Sequence, residues 1–229
     1  MRVGGCTLRG MARSSPRHRP RPALDAKERS TLARLATPER TQAFVDALPI
    51  NHELHGETVL SVREVLRQRR AHCIEAAFVA ACALWVHGRP PLVMHLDCDP
   101  SDWPHVVALH RRGRCWGAIS KSNHIGLRYR DPVYRSLREL AMSYFHEYVD
   151  RRGRRTLVSH SGAFDLRGID PADWVTAKDP CWAAHDRLAD LVHTPLVTSR
   201  QRATLSRQDA FERRLARVAQ HPRPPRGEP

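Results

Sequence analysis

The sequence predicts an α+β fold, and three observations support this prediction. Helical patterns fill the early part of the chain, short apolar strand patterns follow them, and a turn of hairpin type separates two of the strands. The length of 229 residues suits one main domain with an ordinary core and tails. We therefore expect N-terminal helices and a central helix to pack on an antiparallel sheet.

Three short helices are predicted before the centre of the chain, at residues 25–36, 38–47 and 61–70. Thr37 stands where its side chain can cap the second helix, and Pro38 suits the first turn of that helix. The third helix opens with a capping-box pattern that runs from Ser61 to Glu64. These local patterns indicate where each helix begins.

The central helix is predicted at residues 73–87. Gly88, followed by two prolines, ends it. Ala77 and Ala80 share one helical face with Cys73, and such small side chains allow a sheet to approach closely. We therefore expect Cys73 at the edge of the contact between helix and sheet.

Three strands are predicted after the central helix, at residues 92–97, 105–110 and 114–120. The turn at 111–113, Arg-Arg-Gly, indicates an antiparallel hairpin between the last two strands. The later elements are expected to be a long helix at 133–149, an extended stretch near 155–166, a helix at 180–192 and a charged helix at 206–219.

The distribution of charge predicts three parts: a disordered basic tail at 1–22, a main domain at 23–198, and a basic C-terminal helix and tail at 199–229. The two ends carry net charges of +6 and +5 out of the total of +14, so the main domain is close to neutral. We expect both ends to be solvated and do not expect nucleic acid to be the partner. Nucleic-acid binding through the basic ends stays open as an alternative.

The sequence also suggests a compartment. No stretch approaches the ~18 apolar residues of a membrane span, and no apolar signal-peptide segment follows the N-terminal arginines. The six cysteines are widely scattered, which argues against a disulfide framework. We therefore expect a cytoplasmic protein with no membrane partner.

Cys73 and His105 are the candidate catalytic pair. Taken alone, a cysteine is most simply a small buried hydrophobe. However, a thiol at a helix N-terminus beside an imidazole has a lowered pKa and becomes a nucleophile. The position of Cys73 at the start of a helix, and of His105 at the start of a strand, therefore favours catalysis.

Neither a metal nor a cofactor is predicted. His95, Asp97 and Cys98 lie close to His105 and His110 in the sequence. However, His105 and His110 have an odd separation on one strand, so their side chains face opposite ways. A shared metal site is therefore not expected.

The order of these residues resembles the transglutaminase-like superfamily, a group with a papain-like Cys/His core, in its bacterial branch. The similar features are Cys73 on a small-residue helix, the exit Gly88-Arg89-Pro90, the strand-initial His105 and the early strand residue Trp116. They span about residues 60–125, and residues 126–150 look like a little-characterised bacterial subgroup.

The resemblance implies a transglutaminase-like core and an acyl-transfer chemistry. Cys73 would be the nucleophile and His105 the general base, acting at an amide or peptide bond through a thioester. We expect a peptidase, amidase or acyltransferase with a protein or peptide substrate. The alternative is a catalytically degenerate module of the same fold that binds a protein or peptide partner.

The third member of the site stays open. The family places an aspartate four residues after the strand tryptophan, and here that position is Ser120, which can accept the imidazole N–H bond but carries no charge. Asn123 is taken as the third member, because asparagine orients the histidine in papain-like enzymes, with Ser120 as the alternative. On a regular strand the two would face opposite sides. Asp97 and Asp102 are further candidates.

Two other side chains near Cys73 are considered. Gln68 precedes Cys73 by five residues and is a candidate side-chain donor to an oxyanion, besides the backbone N–H groups of the helix start. His72 is expected to project at least a quarter-turn away from Cys73 and to be exposed. The alternative for His72 is electrostatic tuning of the site.

Overall fold

The computed structural model describes residues 23–224, so the predicted tail at 1–22 and the last five residues lie outside it. The described part has an α+β fold, as predicted, with helices on both faces of an antiparallel sheet. The α-helices are α1 (Ala26–Ala33), α2 (Pro38–Ala47), α3 (Val62–Gln68), α4 (Cys73–Val86), α5 (Leu137–Met142), α6 (Pro171–Trp174), α7 (Trp182–Ala189), α8 (Ser199–Ala203) and α9 (Ala210–Ala216). The strands are β1 (Leu92–Cys98), β2 (His105–Arg112), β3 (Cys115–Ile119), β4 (Arg130–Tyr134), β5 (Leu157–Ser161), β6 (Phe164–Asp165) and β7 (His193–Pro195).

The sheet has seven strands, with the order β4-β3-β2-β1-β5-β7 and with β6 paired to β1. The predicted hairpin of β2 and β3 is confirmed, because Arg112 is paired with Cys115 and Gly113 adopts a positive φ of 59° in the turn. In β1 and β2, Leu96 is opposite His105. The start of β2 therefore lies beside the end of β1.

Hydrophobic clusters cover both faces of the sheet. On one face, α1 to α4, α6 and α7 pack together, and α4 is buried along almost its whole length. A helix that is apolar all round suits this position between the sheet and other helices. On the other face, α5 and the residues after it bury Tyr144 and Tyr148 against the sheet. These two layers fix α4 relative to β2.

The helix ends follow the predicted capping residues closely. The Thr37 hydroxyl accepts a hydrogen bond from the Arg40 amide at 3.2 Å, and Pro38 is the first residue of α2. Ser61 accepts from the Glu64 amide at 3.3 Å, but the Glu64 carboxylate binds the guanidinium of Arg67 at 2.6 Å instead of returning to Ser61. The third helix is therefore capped from one side only.

The predicted helix at 133–149 is wrong in its first part and too long. Residues 130–134 form the edge strand β4, and α5 ends at Met142. The Arg130 guanidinium donates to the Ser143 carbonyl oxygen at 3.1 Å and to the Ser143 hydroxyl at 3.0 Å. A side chain from β4 therefore satisfies the carbonyl where the helix would continue, an interaction that local patterns do not reveal.

The C-terminal segment differs from the single predicted helix at 206–219. It forms α8 and the shorter α9, and it contacts the rest of the protein. The Arg202 guanidinium pairs with the Asp99 carboxylate at 2.5 Å, and the Gln208 amide donates to the Gly153 carbonyl at 2.9 Å. Among residues 23–224, no helix combines the length and the apolar character needed to cross a membrane.

Candidate active site

Cys73 is the first residue of α4, at the positive end of the helix dipole. Its side chain is half-buried. Burial alone would raise the pKa of the Cys73 thiol, but the charge and hydrogen bond of His105, followed by those of His72, lower this pKa well below its usual value. Two imidazoles therefore favour the thiolate at this position.

Three other half-buried or buried cysteines behave differently. Burial raises the pKa of Cys82, Cys98 and Cys181 to about 12. Cys82 lies inside α4, where no imidazole compensates for the loss of water. Cys73 and Cys82 lie in the same helix, but only Cys73, its first residue, interacts with His72 and His105. Their opposite pKa shifts therefore follow from their positions.

His105 begins β2, and its ring is oriented by Ser120. The distance between His105 Nε2 and Ser120 Oγ is 2.8 Å. The Ser120 hydroxyl donates its hydrogen to the Leu127 carbonyl oxygen at 2.5 Å, so it can only accept from His105. This arrangement places the hydrogen on Nε2 and leaves Nδ1 as the nitrogen that exchanges a proton.

The backbone of Ser120 is held on both sides by one amide side chain. Gln42 Oε1 accepts from the Ser120 amide at 2.9 Å, and Gln42 Nε2 donates to the Ser120 carbonyl at 2.7 Å. The next residue, Lys121, is buried and donates to the carbonyls of Val45 and Leu48 at 2.7 and 2.6 Å. Helix α2 and the loop after it therefore fix the residue that orients His105.

Asn123, the predicted third member, lies elsewhere. Its Nδ2 donates to the His221 carbonyl at 3.0 Å, and its Oδ1 accepts from the His221 amide at 2.8 Å. Asn123 therefore anchors the C-terminal segment, and Ser120 is the residue that binds His105. The register explains this outcome, because Ser120 continues the face of the sheet that His105 shares.

The two aspartates considered for the same role have other partners. Asp97 Oδ2 accepts from the Ser159 hydroxyl at 3.1 Å, and Asp102 Oδ2 accepts from the Thr156 hydroxyl at 2.6 Å. Gln68, the candidate oxyanion donor, gives its Nε2 hydrogen to Glu64 at 2.8 Å and accepts from Arg70 at 2.9 Å. These contacts hold Gln68 at the end of α3.

The helical pattern predicted an exposed His72, but the structure places this residue half-buried and within the site. It is the N-cap of α4 and has an extended backbone (φ −98°, ψ −168°). Its Nε2 lies 2.9 Å from the Thr58 carbonyl oxygen and 3.2 Å from Glu75 Oε1. Burial lowers the pKa of His72, but bonds to Cys73 and Glu75 outweigh it and raise the value to about 11.

Glu75 is fully buried behind His72. Its carboxylate accepts from the Thr58 hydroxyl at 2.8 Å, the Leu60 amide at 2.9 Å and the His72 amide at 2.8 Å. The Asn51 side-chain amide donates to both oxygens at 3.1 and 3.2 Å. Burial raises the pKa of Glu75, but the His72 imidazole and these donors lower it overall. The sequence contained one sign of this network: Glu75, two residues after Cys73, is the third residue of α4 and can reach back to the N-cap.

His95 and His110, which lie near His105 in the sequence, have other partners. His95 Nδ1 lies 2.8 Å from His193 Nε2, and His110 stacks on Tyr129 with ring centres 5.5 Å apart. Burial lowers the pKa of His95 and of His110 to about 4. In the part of the chain that the structure describes, no three His, Cys, Asp or Glu side chains are grouped so that they could hold a metal ion.

The comparison with models of known protein families gave no match, and a search of curated proteins gave no match either. The chemistry of the site therefore carries the functional argument.

Proposed function

We propose that the protein is a cysteine enzyme of transglutaminase-like type, which transfers or hydrolyses an acyl group at an amide or peptide bond. One observation carries the proposal: the Cys73 thiol at the start of α4 interacts with His105, and the far nitrogen of His105 is held by Ser120 at 2.8 Å. A nucleophile, a base and a group that orients the base form a triad of this kind.

In the first step, the Cys73 thiolate attacks the carbonyl carbon of the substrate, a carbon–sulfur bond forms, and negative charge moves to the carbonyl oxygen. The first amides of α4 have no acceptor within the helix and are suited to stabilise this oxyanion. The His105 imidazolium gives its Nδ1 proton to the leaving nitrogen as the carbon–nitrogen bond breaks. This step leaves a thioester on Cys73.

In the second step, water or an amine attacks the thioester and His105 accepts the proton of the nucleophile. The carbon–sulfur bond breaks, and Cys73 leaves as a thiolate. A leaving thiolate is favoured by the same low pKa that makes Cys73 a nucleophile. A protein or peptide is the substrate class that this chemistry and the family resemblance favour.

A catalytically degenerate module that binds a protein or peptide partner is the second candidate. Ser120 favours it, because a neutral hydroxyl stabilises an imidazolium less than the aspartate of the family pattern does. However, in a degenerate module we would expect the far nitrogen of the histidine ring to lack a hydrogen-bond partner. In this protein the far nitrogen of His105 is bound to the Ser120 hydroxyl. This bond supports the enzyme over the binding module.

Alkylation by iodoacetamide at pH 6 tests the proposal, with each cysteine followed by peptide mass mapping of the folded protein. Cys98 is the matched control, because it is also half-buried while burial raises its pKa to about 12. We expect Cys73 to react at least about a hundredfold faster than Cys98. Equal rates would contradict an activated thiolate.

A second measurement examines acyl transfer itself. Incubation with p-nitrophenyl acetate is expected to place an acetyl group on Cys73, and a His105→Asn variant is expected to lose most of this reaction. Asn123→Ala is the matched control, because Asn123 contacts the C-terminal segment and not His105. An activated Cys73 that accepts no acetyl group would favour the binding module.

A further inference from the structure

We propose that His72 and Glu75 form a second, permanently charged pair at Cys73, which stabilises the thiolate while His105 carries the proton. This inference rests on the proposed function and assigns a separate task to a residue pair outside the expected triad. It is carried by geometry at the start of α4: His72 Nε2 lies 3.2 Å from Glu75 Oε1, and His72 is the N-cap residue directly before Cys73. The charge of the His72 imidazole also lowers the pKa of the Cys73 thiol.

The buried carboxylate is the first step of the argument. Glu75 has no exposed surface, and four groups besides the imidazole donate hydrogen bonds to it: the Asn51 amide, the Thr58 hydroxyl and the backbone amides of Leu60 and His72. An acceptor surrounded by this many donors is an ionised carboxylate. A buried negative charge also requires a positive partner.

His72 is that partner. Its Nε2 faces two acceptors, the Thr58 carbonyl oxygen at 2.9 Å and Glu75 Oε1, and neither can donate, so Nε2 carries a hydrogen. The other charged groups around the pair come from separate elements: the Glu53 carboxylate lies 3.6 Å from His72 Nε2, and Cys181 lies within electrostatic range of Glu75. The Glu53 carboxylate adds to the demand for a positive charge on His72, whereas the Cys181 thiol stays neutral because burial raises its pKa to about 12.

The charges at Cys73 then divide between the two histidines. His105 (from β2) has only the neutral Ser120 hydroxyl behind it, whereas His72 has a carboxylate. Tyr148, from the opposite face of the sheet, is a further titratable group within electrostatic range of Cys73. The negative charge that the family places behind the catalytic histidine is here placed behind His72. His72 holds the charge of the thiolate, and His105 is free to exchange its proton.

The pH dependence of Cys73 alkylation tests this assignment in four proteins: the wild type, Glu75→Gln, His72→Gln and the control His146→Gln, which changes an exposed histidine. Each pKa unit changes the thiolate fraction about tenfold below the pKa. We expect the Glu75 and His72 variants to lose about tenfold or more in rate at pH 6 and to recover at pH 9, while the control follows the wild type.

The outcomes separate the two proposals. A wild-type Cys73 that reacts no faster than Cys98 overturns the proposed function. A fast wild type with unchanged Glu75→Gln and His72→Gln profiles overturns the present inference alone. NMR titration of the His72 ring in the wild type covers the case in which these variants do not fold. A ring still protonated at pH 8 supports the charged pair, and a neutral ring overturns it.

Discussion

Replacement of Ser120 by alanine is expected to destabilise the protein without changing its fold. The Ser120 hydroxyl links buried His105 Nε2, at 2.8 Å, to the half-buried Leu127 carbonyl, at 2.5 Å. Alanine provides neither the acceptor nor the donor. The cavity is small, so the effect comes from the two polar groups left without partners.

The size of the effect follows from these two bonds. A buried polar group that loses its partner costs about 1–3 kcal/mol. Ser120 is 2% exposed, so water does not replace the hydroxyl readily. We expect the free energy of unfolding to fall by about 2–4 kcal/mol, because some relaxation of the Leu127 carbonyl reduces the sum of the two costs.

Urea unfolding at pH 7 measures this change, with the slope m used to check that the unfolding transition is the same. Ser120→Thr keeps the hydroxyl and is expected to retain most of the stability, and Asn123→Ala reports the general cost of losing a polar side chain nearby. A loss below about 0.5 kcal/mol in Ser120→Ala would show that the His105–Ser120–Leu127 chain of hydrogen bonds does not hold the ring.

Two further predictions concern the same region. Ser120→Asp, which restores the residue of the family pattern, is expected to lower the rate of Cys73 acetylation by p-nitrophenyl acetate, because a carboxylate cannot donate to the Leu127 carbonyl; a rate above the wild type would contradict this geometry. Burial lowers the pKa of Lys121 to about 8 from an ordinary value of 10.5, so the unfolded chain binds more protons between these values. The stability of the wild type relative to Lys121→Met is therefore expected to rise between pH 8 and 10.5 in urea unfolding, and a constant difference would show that burial does not lower the pKa of Lys121.

Local chemistry made most helix ends predictable from the sequence. Thr37 and Pro38 begin α2 where predicted, and Gly88, with a positive φ of 76°, follows the end of α4. These residues act on their own backbone, so the neighbouring sequence contains the necessary information. The placement of Cys73 at the first turn of α4 follows from the same kind of reasoning.

Long-range contacts determined what the sequence did not predict. The edge strand β4 contains Pro132, which an edge position tolerates, and its pairing with β3 depends on residues far away in the chain. Ser120 and Asn123 could not be ranked from their spacing, because the partner of Asn123 is His221, almost a hundred residues later.

His72 was misplaced for a different reason. A helical projection assumes helical dihedral angles, but an N-cap residue has an extended backbone and turns its side chain back over the first turn. The prediction that His72 points away from Cys73 and is exposed is therefore wrong. The glutamate at position 75 would have indicated a partner for a histidine at the N-cap, since the third helical residue commonly reaches back to the cap.

The donors around Glu75 also set how the loop before α3 moves. Asn51, Thr58 and Leu60 belong to that loop, and the His72 amide lies between α3 and α4. An opening of the loop exposes a carboxylate that has lost its donors, so small local openings are disfavoured relative to cooperative unfolding. Hydrogen exchange at the Leu60 and His72 amides is therefore expected to be as slow as in the core of α4, although both lie outside regular secondary structure.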